Sequence, residues 1–335
     1  MKPTTLSAHI SNFLSHYLGC QRALSPNTIK AYRDVIVILL RYCRDKKGLA
    51  IERLELQHLD AELVDNFLAY LQNGRGCSIR TINQRLAVIH AFFRYVQVEE
   101  PDYMLQCQRI IAIPLRRFAR KEVGYLSRDY LAALLAQPDL SQPAGRRDAV
   151  LLSVLYDTGA RVQEIIDMTP GDVRLEAPAQ IRILGKGQKV RVVPLMENTV
   201  RLLRQYIDEN ALALPEHYDQ PLFRNRQGNP LTRGGVRYIL QKHLKKAQES
   251  QTTFTQKVTP HTLRHTKAMH LVEAGVSLDI VRDFLGHADI QTTELYARAN
   301  LEMKRAAIAK ISPTPVPVVP KWKENKTLLE WLQQL

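Results

Sequence analysis

QIRILGKGQKVRVVPL, residues 180–195, is where the periodicity of the chain changes. Two β-rich runs, 180–184 and 190–193, flank GKGQK, whose glycines permit a tight turn; this is the signature of a β-hairpin. Almost everything on either side reads as helix. The expected fold is therefore mainly α with a small β-sheet: an all-helical N-terminal domain followed by an α+β domain that carries the hairpin.

Upstream of the hairpin, residues 1–107 read as four helices in a small bundle. The first lies within 4–18. SPNTIKAYRDVIVILLRYCRDKKG opens with Ser25 as N-cap and Pro26 as the first helical residue, and ends near Gly48. Its residues Ile29, Ile36, Leu39, Leu40 and Cys43 share one helical stripe. DAELVDNFLAYLQNGRG starts at Asp60 and stops at Gly74, and SIRTINQRLAVIHAFFRYVQ spaces Ile82, Leu86, Ile89, Phe93 and Val96 as a third long helix. The exposed faces carry Arg22, Lys30, Arg33, Arg75, Arg80 and Arg85, each of which alone is an ordinary solvated cation.

Residues 108–124, QRIIAIPLRRFARKEVG, read as a linker broken by Pro114. Arg116, Arg117, Arg120 and Lys121 cluster there, suited to lie along a phosphate backbone. The second domain, 125–311, begins with a helix capped by Ser127 and a buried helix, RRDAVLLSVLYDTG, closing at Gly159. After the hairpin come helices at 197–210, 233–248, 260–274, 277–285 and 289–298. The helix from 233 offers Arg233, Arg237, Lys242, Lys245 and Lys246 to a backbone or groove. Residues 312–335 combine a stiff SPTPVPVVP spacer with an apolar helix, NKTLLEWLQQL, expected to dock on a neighbouring protomer.

Size and charge agree with this division. The 335 residues suit two domains. Lys+Arg 47 against Asp+Glu 33 leaves +14, which favours a polyanionic partner, most commonly nucleic acid. The four cysteines, Cys20, Cys43, Cys77 and Cys107, form no CxxC pair and read as small core residues without function. No signal pattern opens the chain and no apolar run approaches the roughly 20 residues that span a bilayer. A cytoplasmic protein with no membrane partner is expected.

Four separated segments could carry chemistry. DTGARVQE holds Arg161 and Glu164, and the hairpin turn holds Lys186, with Lys189 as a nearby competitor. In TPHTLRHTKAMHLVEAG, Thr259 caps a helix and Pro260 opens it. His261 and Arg264 then lie near a helix N-terminus, whose free N–H groups and positive dipole end suit a phosphate. His261 and His265 also have i, i+4 metal spacing, but Thr262 stands where HExxH needs glutamate and no third ligand is evident, so no metal is assigned. LGHADIQTTELYAR, 285–298, sets Tyr296 nine residues after His287. GKGQK is not a Walker A loop and no dinucleotide fingerprint occurs, so no cofactor is assigned.

Together the segments resemble the tyrosine recombinase (phage integrase) family, over essentially residues 5–312. The resemblance rests on TGAR ending at Arg161, GKG around Lys186, HTLR from His261 to Arg264, LGH ending at His287, and Tyr296 nine residues on. It implies that Arg161 and Arg264 clamp the scissile phosphate, that His261 and His287 donate hydrogen bonds to it, that Lys186 protonates the leaving 5′-oxygen and that Tyr296 is the nucleophile. Glu164 and His265 would support these groups. The resemblance further implies double-stranded DNA as substrate, a tetramer on two sites, a Holliday junction and neither metal nor ATP, and leaves room for a second recombinase or an accessory DNA-bending protein. It points to integration, excision or transposition of a mobile element. Chromosome or plasmid dimer resolution is the alternative, with a type IB topoisomerase or a non-cutting regulator further behind. Lys-Ala-Met at 267–269 departs from the family, which more usually has an aromatic-Ala-containing stretch there.

Overall fold

The computed structural model describes residues 4–118, 124–185, 187–250 and 258–286. The chain falls into two compact units, divided between Lys121 and Glu122.

In the N-terminal unit, α1 (Thr5–Asn12) is capped by Thr4, whose hydroxyl accepts the Ser7 N–H at 3.2 Å. It runs on into a π-helical stretch, Phe13–Gln21, not foreseen from the sequence. Phe13, fully buried, packs there against Tyr17, Phe92 and Tyr95 with ring centroids 5.3–5.7 Å apart. α2 (Pro26–Lys47) starts on the Ser25 cap and ends on Gly48 at φ 67°, and α3 (Ala61–Asn73) starts on Asp60, which accepts the Leu63 N–H at 2.7 Å. α4 (Ile79–Glu99) buries all five apolar residues of its expected stripe.

The domain boundary expected at 107 falls inside another helix, α5 (Met104–Ile111). Cys107 and Ile110 are fully buried in the N-terminal core, so the bundle continues past that point. Apolar burial, not the Pro114 break, decides where the unit ends. Arg116 is tied to it as well: its N–H donates to Asn83 Oδ1 at 3.0 Å and its carbonyl accepts from Asn83 Nδ2 at 2.8 Å. Cys43 is buried as expected, but Cys20 is exposed and Cys77 is half-buried, accepting from Arg85 Nη1 at 3.1 Å.

The C-terminal unit packs α6 (Arg128–Leu135), α7 (Pro143–Thr158) and the short α8 (Val162–Ile166) with α9 (Glu197–Glu209) and α10 (Arg233–Ser250). Beside them lies a three-stranded antiparallel sheet ordered β1 (Val173–Arg174), β2 (Gln180–Leu184), β3 (Val190–Pro194). The expected hairpin is β2–β3, in register from Gln180↔Pro194 to Leu184↔Val190. Strand alternation buries Ile181, Ile183 and Val193 and leaves Leu184, Val190 and Val192 exposed. α11 (Pro260–Glu273) and α12 (Leu278–Leu285) follow, sharing a small core of Ala268, Met269, Val272, Val281 and Leu285. The expected helix 289–298 and the tail 312–335 lie outside the described residues. Among the described residues no helix is long and apolar enough to cross a membrane.

A buried charge cluster fixes α7 to α10. Asp148, fully buried, accepts from His243 Nε2 at 2.9 Å, Arg147 Nη2 at 2.7 Å and Lys242 Nζ at 3.2 Å. Burial alone would raise its pKa; hydrogen bonds from His243, Arg147 and Lys242 reverse this and hold it below the usual carboxylate range. Asp148→Asn should cost about 3–5 kcal/mol at neutral pH, the scale for breaking a buried charge network. A depressed folded pKa gives stability that is present above the unfolded value of about 3.9 and lost as pH falls through the folded value. Thermal melts should therefore show a gap between wild type and variant near pH 7 that narrows below about pH 4. A gap independent of pH would mean that the Asp148 charge is not what stabilises this contact.

Candidate functional site

Among the described residues, three chain reversals bring Arg161, Glu164 and Arg264 to one end of the unit. The first is the end of α7. Gly159 adopts φ +55°, a conformation that glycine takes without strain, and ends the helix there. A methyl group on it would lie 2.7 Å from Leu285 Cδ2, so the Leu285 side chain would have to shift. Thr158, fully buried, donates to the Val154 carbonyl at 2.6 Å and accepts the Ala160 N–H at 3.2 Å. This locked turn delivers Arg161 to the start of α8.

Glu164, one turn on, holds Arg161 in place. Its carboxylate accepts the Arg161 backbone N–H at 2.8 Å and Arg161 Nη1 at 2.7 Å. It also accepts a second guanidinium, Arg191, at 2.7 and 3.3 Å. Burial would raise the Glu164 pKa, but the bonds from Arg191 and from Arg161 pull it below the ordinary range, so it stays an anion that accepts two forks. Arg191 did not figure among the sequence-derived candidates. Its signal was available: in the β2–β3 register it pairs with buried Ile183, so a charge on that inward face needs a partner.

The second reversal is the hairpin turn. The Gly185 N–H donates to the Lys189 carbonyl at 2.8 Å, and a methyl group on Gly185 would lie 3.7 Å from Glu164 Oε1. The GKG turn thus begins beside Glu164; Lys186 itself lies outside the described residues. Lys189 is exposed on the far side of the turn.

The third is the packing of α11 on α12. Thr259 caps α11, its hydroxyl accepting the Thr262 N–H at 3.2 Å, with Pro260 opening the helix as expected. Arg264, only 2% exposed, spans two loops: Nη1 donates to the Gly159 carbonyl and Nη2 to the Leu285 carbonyl, both at 2.6 Å. α12 closes on Gly286 at φ +63°, whose carbonyl accepts Arg161 Nη2 at 3.3 Å. Arg161 keeps 40% of its side chain exposed. His261 is exposed at the head of α11, yet dense packing, and then the Arg264 and Arg161 charges, lower its pKa, so it is a neutral base near pH 7. His265 is buried and meets Tyr125 edge-on at 6.5 Å. His287 and Tyr296 lie outside the described residues, though Leu285 and Gly286 bring the chain to the site.

The site is thus a cationic patch at the mouth of a helix N-terminus, with guanidiniums fixed by an anion and by carbonyls. Such an arrangement can bind and polarise a phosphate diester. Residues 125–303 match the phage integrase family, and residues 16–101 match its N-terminal SAM-like domain.

The chain belongs to the phage integrase family.

Its relatives include tyrosine recombinases. It is 40% identical over 93% of its length to a Sinorhizobium fredii protein named integrase/recombinase y4rC, and covers 93% of that protein. It is 34% identical over 86% of its length to tyrosine recombinase XerD of Listeria monocytogenes, covering 92% of it. Two solved structures share the fold. One is XerH site-specific recombinase bound to palindromic difH substrate, with TM-score 0.68, 23% identity and coverage of 86% of this chain and 81% of that one. The other is Tn1549 transposon integrase in complex with transposon right end DNA, with TM-score 0.68, 18% identity and coverage of 91% and 99%. This family member is a tyrosine-type site-specific recombinase.

The candidate DNA contacts of this recombinase divide. Arg117, Arg237, Lys245 and Lys246 are exposed, whereas Arg116 is half-buried and donates to Gln72. Arg233 Nε donates to Gln163 at 2.7 Å, linking α10 to the Arg161 helix. Lys242 is engaged by Asp148. Arg120 and Lys121 lie outside the described residues. Tyr238, 70% exposed beside Arg237, is an aromatic candidate that charge counting passed over.

Proposed function

We propose that this recombinase cuts and rejoins duplex DNA through a phosphotyrosyl bond, with Tyr296 as nucleophile. The carrying observation is the convergence of Arg161, Arg264 and His261 around the Glu164–Arg191 anchor, next to the turn that bears Lys186. In this reading Arg161 and Arg264 hold the non-bridging oxygens and stabilise the charge that grows on them. His261, kept neutral, takes the phenolic proton of Tyr296 as its oxygen attacks phosphorus. His287 donates a further hydrogen bond to the phosphate. The bond to the 5′-oxygen breaks, Lys186 supplies that oxygen with a proton, and the protein is left on the 3′-phosphate. Attack by a second 5′-hydroxyl reverses the chemistry and seals a strand without ATP, because the phosphodiester energy is retained in the link.

Site-specific exchange requires two such sites, so the working assembly is four protomers on two duplexes, exchanging strands through a Holliday junction, with the 312–335 tail reaching a neighbour. The similarity to an integrase/recombinase and to a transposon integrase fold favours service to a mobile element over resolution of chromosome dimers.

The test is to incubate the protein, with chelator present, with nicked duplexes taken from sequence flanking its gene. Denaturing gels then reveal any covalent complex, and peptide mass spectrometry locates the nucleotide. A chelator-resistant adduct on the Tyr296 peptide is expected. An adduct on another residue, or one that needs a divalent metal, overturns the mechanism.

A further inference from the structure

Lys267 is a lysine in an unusual place. It sits one helical turn after Arg264 on α11, and its side chain is only 12% exposed. The mechanism above makes no use of it, and it belongs to the Lys-Ala-Met stretch that departs from the family pattern. Long cations are rarely buried unless a partner holds them.

Its surroundings supply the partner. Nζ lies 3.7 Å from Asp157 Oδ1, and Asp157 is itself only 7% exposed at the end of α7. The other Asp157 oxygen accepts the hydroxyl of buried Thr199 on α9. The ammonium also lies over the Tyr156 ring at 4.8 Å and near the Phe284 ring at 5.8 Å. Burial lowers the Lys267 pKa, and the charge and hydrogen bond of Asp157 pull it back up. One side chain thus grips α7 through Asp157 and Tyr156 and α12 through Phe284. Its Cγ would lie 3.8 Å from a methyl group on Gly159.

Those two elements end in the carbonyls that hold Arg264. Gly159 follows Asp157 by two residues and Leu285 follows Phe284 directly; each carbonyl accepts one arm of the Arg264 fork at 2.6 Å. We propose that the Lys267–Asp157 pair is a positioning device that sets the spacing of the Gly159 and Leu285 carbonyls and so aims Arg264 and Arg161 at the scissile phosphate. Lys267 touches no reacting atom in this scheme. It acts through the two loops, and the effect should fall on the chemical step rather than on DNA affinity. The proposal rests on the reading of Arg264 as a phosphate clamp.

The experiment compares Lys267→Met, Asp157→Asn and the double variant with wild type. Single-turnover cleavage of a nicked duplex is measured at saturating protein, well below each melting temperature, alongside the Kd for that duplex. Each single variant should cleave about tenfold slower with Kd within about twofold, and the double variant should be no slower than the slower single, because the pair acts as a unit. Amide hydrogen exchange of segments 158–161 and 284–286 should accelerate in both singles while the rest of the C-terminal unit is unchanged. Wild-type cleavage rates in the variants, multiplicative losses in the double variant, or unaltered exchange in those two segments would each overturn the pair's role. If wild type forms no adduct, the recombination chemistry fails on its own account and hydrogen exchange still decides whether the pair sets the loops.

Discussion

Replacing Tyr296 with phenylalanine is expected to abolish the covalent protein–DNA complex while leaving DNA affinity within about twofold. The substitution removes a single oxygen atom, so the basic surface that supplies most of the binding energy is untouched. The chemistry loses its nucleophile altogether. In enzymes that act through a covalent intermediate, losing the nucleophile costs on the order of 10⁴–10⁶ in rate, beyond the range of a gel assay. The chain has 13 tyrosines, so the variant also discriminates among them. Tyr156 and Tyr206 lie in the same unit, but burial raises the pKa of both, and the Tyr206 hydroxyl donates to the Leu222 carbonyl at 3.1 Å. Neither is poised to attack. Phenol deprotonation must be assisted, and His261 is the base proposed for it. The measurement is adduct yield against time on one nicked duplex, with fluorescence anisotropy on the same duplex for affinity. Adduct formation by the Tyr296→Phe protein at the wild-type rate would remove Tyr296 from the mechanism.

What could be read from the sequence was whatever is encoded locally. Ser25, Asp60, Ser127 and Thr259 cap helices because a side-chain oxygen reaches an N–H two or three residues ahead, and that depends only on neighbours. The β2–β3 hairpin was legible for the same reason: alternation and a glycine turn are contained within 16 residues. The part of the candidate site that the described residues cover, Arg161, Glu164 and Arg264, lies on the TGARVQE and HTLR stretches, each of which keeps its own spacing.

What was not legible depends on contacts distant in sequence. The N-terminal unit continues past 107 because Cys107 and Ile110 find a core built from α3 and α4, which no local pattern announces. The π-helical stretch Phe13–Gln21 likewise opens on Phe13, whose aromatic partner Phe92 is distant in sequence. Buried charges were the largest omission. Asp148, Asp157, Arg191 and Lys267 belong to residue types that ordinarily sit at the surface, and only the partners supplied by other elements show that they are inside. The site therefore has two layers. The residues proposed to meet the phosphate announce themselves by motif, whereas Arg191 and Lys267 find their partners only through ion pairs distant in sequence.

Arg264 belongs to both layers, and Arg264→Lys should show it. A guanidinium has five N–H groups in a rigid plane, and two are directed at the Gly159 and Leu285 carbonyls at 2.6 Å. Lysine keeps the charge but has a single nitrogen, which cannot span two carbonyls and a phosphate together. The charge term at the phosphate is conserved, so DNA affinity should fall only slightly. The directional term is lost, and the loss of one pre-aimed donor in a site of this kind costs about 10²–10³ in rate. One orphaned carbonyl in a region only 2% exposed at Arg264 should cost a further 1–3 kcal/mol of stability. Arg264→Ala should be worse on the second count, since both carbonyls lose their donor and a cavity opens beneath the loops. The two variants thus separate aim from support: single-turnover cleavage at saturating protein reads the first, and thermal melting of the free protein reads the second. A lysine variant that melts early yet cleaves at the wild-type rate would show that Arg264 supports the loops without acting on the phosphate. The clamp would then fall to Arg161, which Glu164 already holds at 2.7 Å with much of its side chain open to solvent.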